Sequence, residues 1–278
     1  MNEHNRAGGE RRVGICLVGA RGSVATCVAY GLAGLAEGLL EPVGLVSEHA
    51  PVNGLDLVPT ENLVLGGFDV CQRELTRSAG ELVQGGVLDA DLVSAARAEA
   101  AAFEAQIRPG VLDAAEVGVA DLEPESARLG ALGPREQIEY LQGELARFVR
   151  ENELERVVVV NLASTEAVAL PRPSWKSLAA FEAELDLGRA QPASLIYAYA
   201  ALDAGHPHVN FTPSPGAAPR ALRELALARG VPHCGNDGKT GETLLKSVLA
   251  PLFVARSLRV LSWQGYNLLG NRDGEVLA

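Results

Sequence analysis

The stretch "RVGICLVGARGSVATCVAYGLAGL", residues 12 to 35, constrains the fold of this chain more than any other. It opens with the apolar run Val13 to Val18, meets glycines at 19 and 22, and continues as an Ala-rich segment of helical composition. A strand, a glycine turn and a helix in that order bring a helix N-terminus and its amides to one point, where an anion is held without side-chain charge. Gly19 and Gly22 sit where the backbone can approach such a group, and Arg21 and Ser23 are placed to add contacts. A third glycine at the usual spacing is missing, so a purely structural turn remains an open alternative.

The rest of the chain keeps the same rhythm. "ENLVLGGFDV" and "ERVVVVNLAST" each read as a buried strand ending in polar residues. Such fully apolar runs suit a parallel sheet covered on both faces. Between them, "LDADLVSAARAEAAAFEAQI" and "REQIEYLQGELARFVRENE" have helical period, the second with Pro134 at its start. Then follow a helix from Ser194 to Ala204, a short strand "HPHVNF", a helix from about Ala217 to Arg229, a strand "VPHC" and a last helix entered through glycines. The pattern predicts an α/β fold with a doubly wound parallel sheet. "LEPESARLGALGP" reads as a surface loop.

Composition narrows the partners. A length of 278 residues with 47% apolar content supplies a sizeable core. The formal charge of −11 argues against nucleic acid or an anionic membrane surface, so an anionic ligand needs a local positive island. No apolar run reaches the ~18 to 20 residues of a membrane span, and the polar N-terminus has no apolar stretch behind it. Cys16, Cys27, Cys71 and Cys234 lack metal-ligand spacing and read as reduced core thiols, which points to the cytoplasm. No metal is expected, at the His206 and His208 pair or elsewhere.

Several polar clusters fall where an open α/β sheet binds ligands, outside the carboxyl ends of its strands. Asp69 ends the second apolar run and is the candidate acidic residue for a ribose, or else a helix N-cap for the segment from Cys71. Asn161, Ser164, Thr165 and Glu166 follow Val157 to Val160, with capping by Ser164 or Thr165 as the alternative. Asn210, Thr212 and Ser214 follow another strand in a loop stiffened by Pro213 and Pro215. Asn267, Asn271 and Asp273 form a Gly-rich turn that also suits a ligand rim.

The lysines are the sharpest signal. Only three, Lys176, Lys239 and Lys246, occur among 24 basic residues, and two stand seven apart in "GNDGKTGETLLKS". On one helix that spacing puts both ammonium groups on one face. A compact amine serves phosphate and developing oxyanions, and its proton affinity is tunable in a way that a guanidinium's is not. Asp237 stands beside them to orient Lys239 or relay a proton.

Taken in order, five segments resemble the inositol-3-phosphate synthases: "ENLVLGGFDV", "VVVVNLASTEA", "HVNFTPSPGAAP", "GNDGKTGETLLKS" and "QGYNLLGNRDG". The resemblance implies a Rossmann-like NAD-binding domain over residues 12–234, after a loose tail at 1–11. It also implies the start of an α+β catalytic and tetramerisation domain at 235–278. The implied activity is isomerisation of glucose 6-phosphate to inositol 3-phosphate with NAD as cofactor, in a homotetramer. Catalytic roles fall to Lys239, Lys246 and Asp237, and substrate contacts to Asn210, Thr212, Ser214 and Asn267. Cofactor contacts fall to Gly19, Ala20, Arg21, Gly22, Ser23, Val24, Asp69, Ala163, Ser164, Thr165, Asn236 and Asp273. The family's Asp-Asp is Asn236-Asp237 here, and its middle lysine is Leu244. The family continues past the last matched motif, so the chain is expected to be a fragment or a shortened relative. The competing readings are an oxidoreductase acting on another small phosphorylated substrate and a non-catalytic NAD-binding remnant.

Overall fold

The structure, a computed structural model, describes residues 11–52, 54–112, 121–167, 170–238 and 241–265. Six strands form one wholly parallel sheet: β1 (Val13–Val18), β2 (Leu63–Asp69), β3 (Ile107–Pro109), β4 (Arg156–Asn161), β5 (His208–Asn210) and β6 (His233–Cys234), in the order β3-β2-β1-β4-β5-β6. β1 lies at the centre because its residues are apolar toward both faces. Leu17 belongs to the core under α1 (Ser23–Ala36), whereas Cys16 and Val18 belong to the core on the opposite face.

Right-handed crossovers divide the helices between the faces. After β2 come α2 (Leu75–Gln84), α3 (Ala90–Ala95) and α4 (Arg97–Ala105), and α1 packs against all three. After β3 come α5 (Pro124–Gly130) and α6 (Pro134–Glu151). After β4 come α7 (Leu178–Asp186) and α8 (Ala193–Asp203), and after β5 comes α9 (Arg220–Arg229). The second core is built chiefly from α6, α7, α8 and α9. α8 is buried from Ala193 to Leu202, as expected of a helix apolar all round. Each fully buried Leu or Ile there contributes about 1.5–3 kcal/mol of burial free energy. Its two tyrosines find partners for their hydroxyls. Tyr197 accepts from Val111 N–H at 2.7 Å and donates to Val111 C=O at 3.2 Å, while Tyr199 bonds Arg135 and Glu182.

Four expectations are corrected. The segment at 122–134 is not a loop, because α5 starts at Pro124 and the Glu123 carboxylate accepts the Ser126 N–H as its cap. The Ala-rich stretch before β3 is two helices broken at Ala96, and it ends in a three-residue strand that carries no apolar run of its own. Cys234 is exposed, unlike the buried Cys16. Coverage of the sheet is also uneven. Val157 and Val159 are buried, but the alternate residues Val158, Val160 and Val209 are only half-buried, because no described helix crosses that face of β5 and β6.

His208, at the start of β5, is fully buried with both ring nitrogens unbonded among the described residues, and it pairs in register with His233 on β6. Burial, with a smaller contribution from His233, pushes its pKa down to about 4. The unfolded imidazole titrates near ~6.5. Between those values the unfolded chain binds the extra proton, so stability falls as pH drops from about 6.5 towards 4. His208→Leu is expected to remove this component, which is on the order of 3 kcal/mol. Urea unfolding midpoints measured across that pH range in both proteins check it, and parallel curves would place the proton uptake elsewhere.

Candidate functional site

The register of β1 assembles the site. Val18 pairs with Phe68 on one side and Asn161 on the other, and Asn161 pairs with Asn210. The chain therefore leaves four neighbouring strands at one level. Backbone bonds tie the exits together: Gly19 and Ala20 N–H donate to Phe68 C=O, Leu162 N–H to Val18 C=O, and Phe211 N–H to Asn161 C=O.

The glycine turn stands at the middle of this rim. Gly19 has φ +82°, and a Cβ there would lie 2.8 Å from Ala163 Cα, so both conformation and space exclude a side chain. Gly22 is the N-cap of α1, with its N–H on Gly19 C=O at 3.0 Å and its carbonyl accepting Thr26 N–H and Oγ1. Gly22 itself offers no capping side chain, and no acidic residue lies in the first turn. A Cβ on Gly22 would meet only Gly19 O, at 3.1 Å, within 4 Å. The positive end of the helix dipole is thus directed toward the rim. Ala20 is fully buried and Val24 is exposed, while Ser23 belongs to the first turn.

Asp69 closes the turn from the β2 side. Its Oδ2 accepts Arg21 N–H at 2.7 Å and its Oδ1 accepts Cys71 N–H at 2.8 Å. Burial raises its pKa, and the two amides oppose that rise. It does not cap α2, which begins only at Leu75, so that alternative is corrected. The Arg21 guanidinium turns away to α4, where Nη1 donates to Glu104 Oε1 at 2.6 Å and to Arg73 C=O at 2.7 Å. Glu104 was invisible as a site residue in the sequence, since a lone Glu in an Ala-rich helix reads as a solvated face.

The polar residues after β4 and β5 face one another. Asn161 Nδ2 donates to Asn210 Oδ1, which also accepts Thr212 N–H and Oγ1; Asn210 Nδ2 donates to Ser214 C=O at 2.7 Å. Thr212 Oγ1 takes Ser214 N–H, and Ser214 Oγ takes Glu166 N–H at 3.0 Å. The Glu166 carboxylate then accepts the N–H and hydroxyl of Ser194, the second residue of α8. Asn161, Asn210, Thr212, Ser214 and Ser194 are all buried. These side chains brace the two loops against each other and against α8. Ser194 could be found only through this geometry. Ala163 and Thr165 are half-buried and Ser164 exposed on the same loop, and neither Ser164 nor Thr165 begins a helix, so the capping alternative is corrected.

After β6 the chain passes Gly235, where φ is +93° and a Cβ would fall 2.1 Å from Asn210 C=O. Asn236 and Asp237 are exposed, and Asp237 Oδ1 accepts the next N–H at 2.8 Å. Lys246 lies on α10 (Gly241–Ala255), paired with Glu242 Oε2 at 2.8 Å and 5.9 Å from the centre of the Trp263 ring. It borders an apolar groove formed by α10 and the segment after it. Lys239, Asn267 and Asp273 lie outside the described residues, and with Lys239 goes any face it shares with Lys246. Among the described residues no group of three or more His, Cys, Asp or Glu is placed to hold a metal.

A wholly parallel sheet of this order, a glycine turn feeding a helix and an acidic residue ending the next strand define a Rossmann-type dinucleotide-binding protein. The turn fits a pyrophosphate through the glycine at the N-cap of α1, and a ribose through Asp69. An NAD-binding family model described as Myo-inositol-1-phosphate synthase matches residues 13–269. The chain belongs to that family. It is 32% identical over 282 residues to inositol-3-phosphate synthase 1 of Bacteroides thetaiotaomicron, covering 96% of this chain and 63% of that protein. It is 31% identical to the inositol-3-phosphate synthase of Spirodela polyrhiza, covering 83% of this chain and 44% of the relative. Among solved structures, the inositol-3-phosphate synthase of Caenorhabditis elegans superposes with TM-score 0.71 at 19% identity, over 89% of this chain and 53% of that one. A myo-inositol-1-phosphate synthase-related protein of Thermotoga maritima superposes at 0.62 and 20% identity, over 89% and 60%. The chain thus spans between about two fifths and three fifths of the length of these relatives.

Two substitutions separate binding from bracing. Gly22→Val is expected to leave the fold intact, with an unfolding midpoint within a few degrees of wild type, and to abolish NAD binding by filling the approach to α1. Unchanged affinity in a titration would move the cofactor off this turn. Asn210→Ala is expected to cost about 2–4 kcal/mol, because it strips partners from several buried donors. Urea unfolding without ligand measures it, and a negligible loss would show that Asn210 does not hold the loops.

Proposed function

We propose that this chain serves the NAD-dependent isomerisation of D-glucose 6-phosphate to 1D-myo-inositol 3-phosphate, residues 12–234 supplying the nucleotide domain and 235–278 the start of the catalytic one. The observation that carries this reading is the glycine-capped N-terminus of α1 beside Asp69, in a chain whose family model spans residues 13–269. NAD bound there supplies a hydride acceptor that is regenerated within each cycle, so the sugar suffers no net oxidation.

The other tasks fall to the chain. A carbonyl formed at C5 acidifies the neighbouring C–H, a base removes that proton, and the resulting enolate closes the ring on the aldehyde carbon. Each step builds negative charge on an oxygen, which a lysine ammonium stabilises at close range. Lys239 and Lys246 are the residues for this and for the substrate phosphate, with Asp237 beside the nicotinamide to orient Lys239 or relay a proton. Asn210, Thr212 and Ser214 act by fixing the loop that faces the sugar, in keeping with their buried bonds to one another. Ala163, Ser164, Thr165, Asn236 and Asp273 serve the cofactor, and Asn267 the substrate. Homotetrameric assembly belongs to the same reading and is supported by α10, whose leucines and valines at 244, 245, 248, 252 and 254 are exposed.

Phosphorus NMR with glucose 6-phosphate and NAD⁺, read alongside NADH absorbance, tests the proposal. The expected outcome is an inositol phosphate resonance without accumulation of NADH. Stoichiometric NADH would mean a dehydrogenase on this or a related sugar phosphate, and NAD binding without product would reduce the chain to a cofactor-binding domain.

A further inference from the structure

Arg21 stands in the turn itself, and its N–H, C=O and Nη1 are all engaged. Its N–H bonds Asp69, its C=O accepts Ser78 Oγ at 3.1 Å, and its guanidinium forms the ion pair with Glu104 at 2.6 Å. The pair is mostly shielded, with side-chain exposures of 19% and 28%. Glu104 Oε1 also takes the N–H of Leu75, the first residue of α2, so the carboxylate is anchored before Arg21 reaches it. The nearby Arg73 guanidinium is already paired with Glu81.

Asp69 ends β2, where a dinucleotide presents its adenosine ribose. A carboxylate there favours a free 2′-hydroxyl, whereas an arginine there accommodates a 2′-phosphate. This chain holds both side chains at that point, Asp69 bonded to the backbone of Arg21 itself, and what decides between them is where the guanidinium goes. We infer that Glu104 is the positioning residue that sets cofactor choice: by holding the Arg21 guanidinium on α4, it withholds the cation an adenosine 2′-phosphate would need. The inference rests on the reading that NAD binds at this turn. The ion pair also cancels the positive charge that would draw a phosphate from solution, leaving the Asp69 carboxylate to repel it.

Calorimetric titration of the folded chain with NAD⁺ and with NADP⁺ tests this, in wild type, Glu104→Gln, and Glu104→Gln combined with Arg21→Ala. Glutamine keeps an acceptor for Leu75 N–H while discarding the charge that holds Arg21. Wild type is expected to favour NAD⁺. In Glu104→Gln the ratio of NADP⁺ to NAD⁺ affinity should rise about tenfold, or about 1.4 kcal/mol, and the double variant should lose that gain. A ratio unmoved by Glu104→Gln while NAD⁺ still binds overturns the inference alone, as does a gain that persists without Arg21. Wild type that binds no NAD⁺ overturns the inference together with the reading of the turn. Should Glu104→Gln fail to fold, Glu104→Asp, which retracts the carboxylate by one methylene, is expected to shift the ratio in the same direction by a smaller factor, and no shift there overturns the inference.

Discussion

The pairing of β1 along both its edges governs the molecule. Each of its six residues is matched to β2 on one side and β4 on the other. Because side chains alternate along a strand, a slip of one residue would turn Leu17 toward the α6 face and Cys16 toward α1, exchanging the two cores. It would also carry Gly19 away from Phe68 C=O and Leu162 away from Val18 C=O, undoing the bonds that align the exits at the rim. Burial on two faces is what fixes the register, and the register is what brings Asp69, Gly22 and Asn161 together from positions far apart in sequence.

The charge of the protein gives that rim its character. At −11 overall, the chain should hold an anion only through a local concentration of positive potential. The side chain that stands nearest, Arg21, is neutralised by Glu104. What remains at the turn is the backbone: the N-terminus of α1, with a glycine at its N-cap and no acid in its first turn. Oriented amides bind phosphate oxygens without a titratable group, and they cost little reorganisation because the helix already fixes them. Two of the three lysines, Lys239 and Lys246, belong to a different part of the chain, after β6, where phosphate on a sugar rather than on a nucleotide is the ligand proposed.

Legibility in the sequence followed the range of the interactions involved. β1, β2 and β4 were visible because a strand buried in a parallel sheet must be apolar along its length, and the α1 turn because only glycine tolerates the φ of Gly19 beside Ala163. The three-residue β3 was not visible, since pairing with β2 rather than its own composition makes Ile107–Pro109 a strand. α5 reads as a loop in the sequence because its short Pro-Glu-Ser opening resembles a turn, and only the Glu123 cap distinguishes it. The polar clusters after β4 and β5 were legible as clusters, but their direction was not. Asn, Thr and Ser serve a ligand or a neighbouring loop equally well, and the partner that decides, such as Ser194 for Glu166, lies 28 residues away in the chain.

The bracing network has a consequence for how such a chain can change over generations. Asn161, Glu166, Ser194, Asn210, Thr212 and Ser214 each satisfy a group belonging to another member, and all but the half-buried Glu166 are buried. Altering one strands a donor or acceptor on the next, so single steps are penalised where a concerted replacement would not be. Exchange at the exposed neighbours Ser164, Phe211 and Pro213 strands no buried member of that network, so change along this rim is cheapest there.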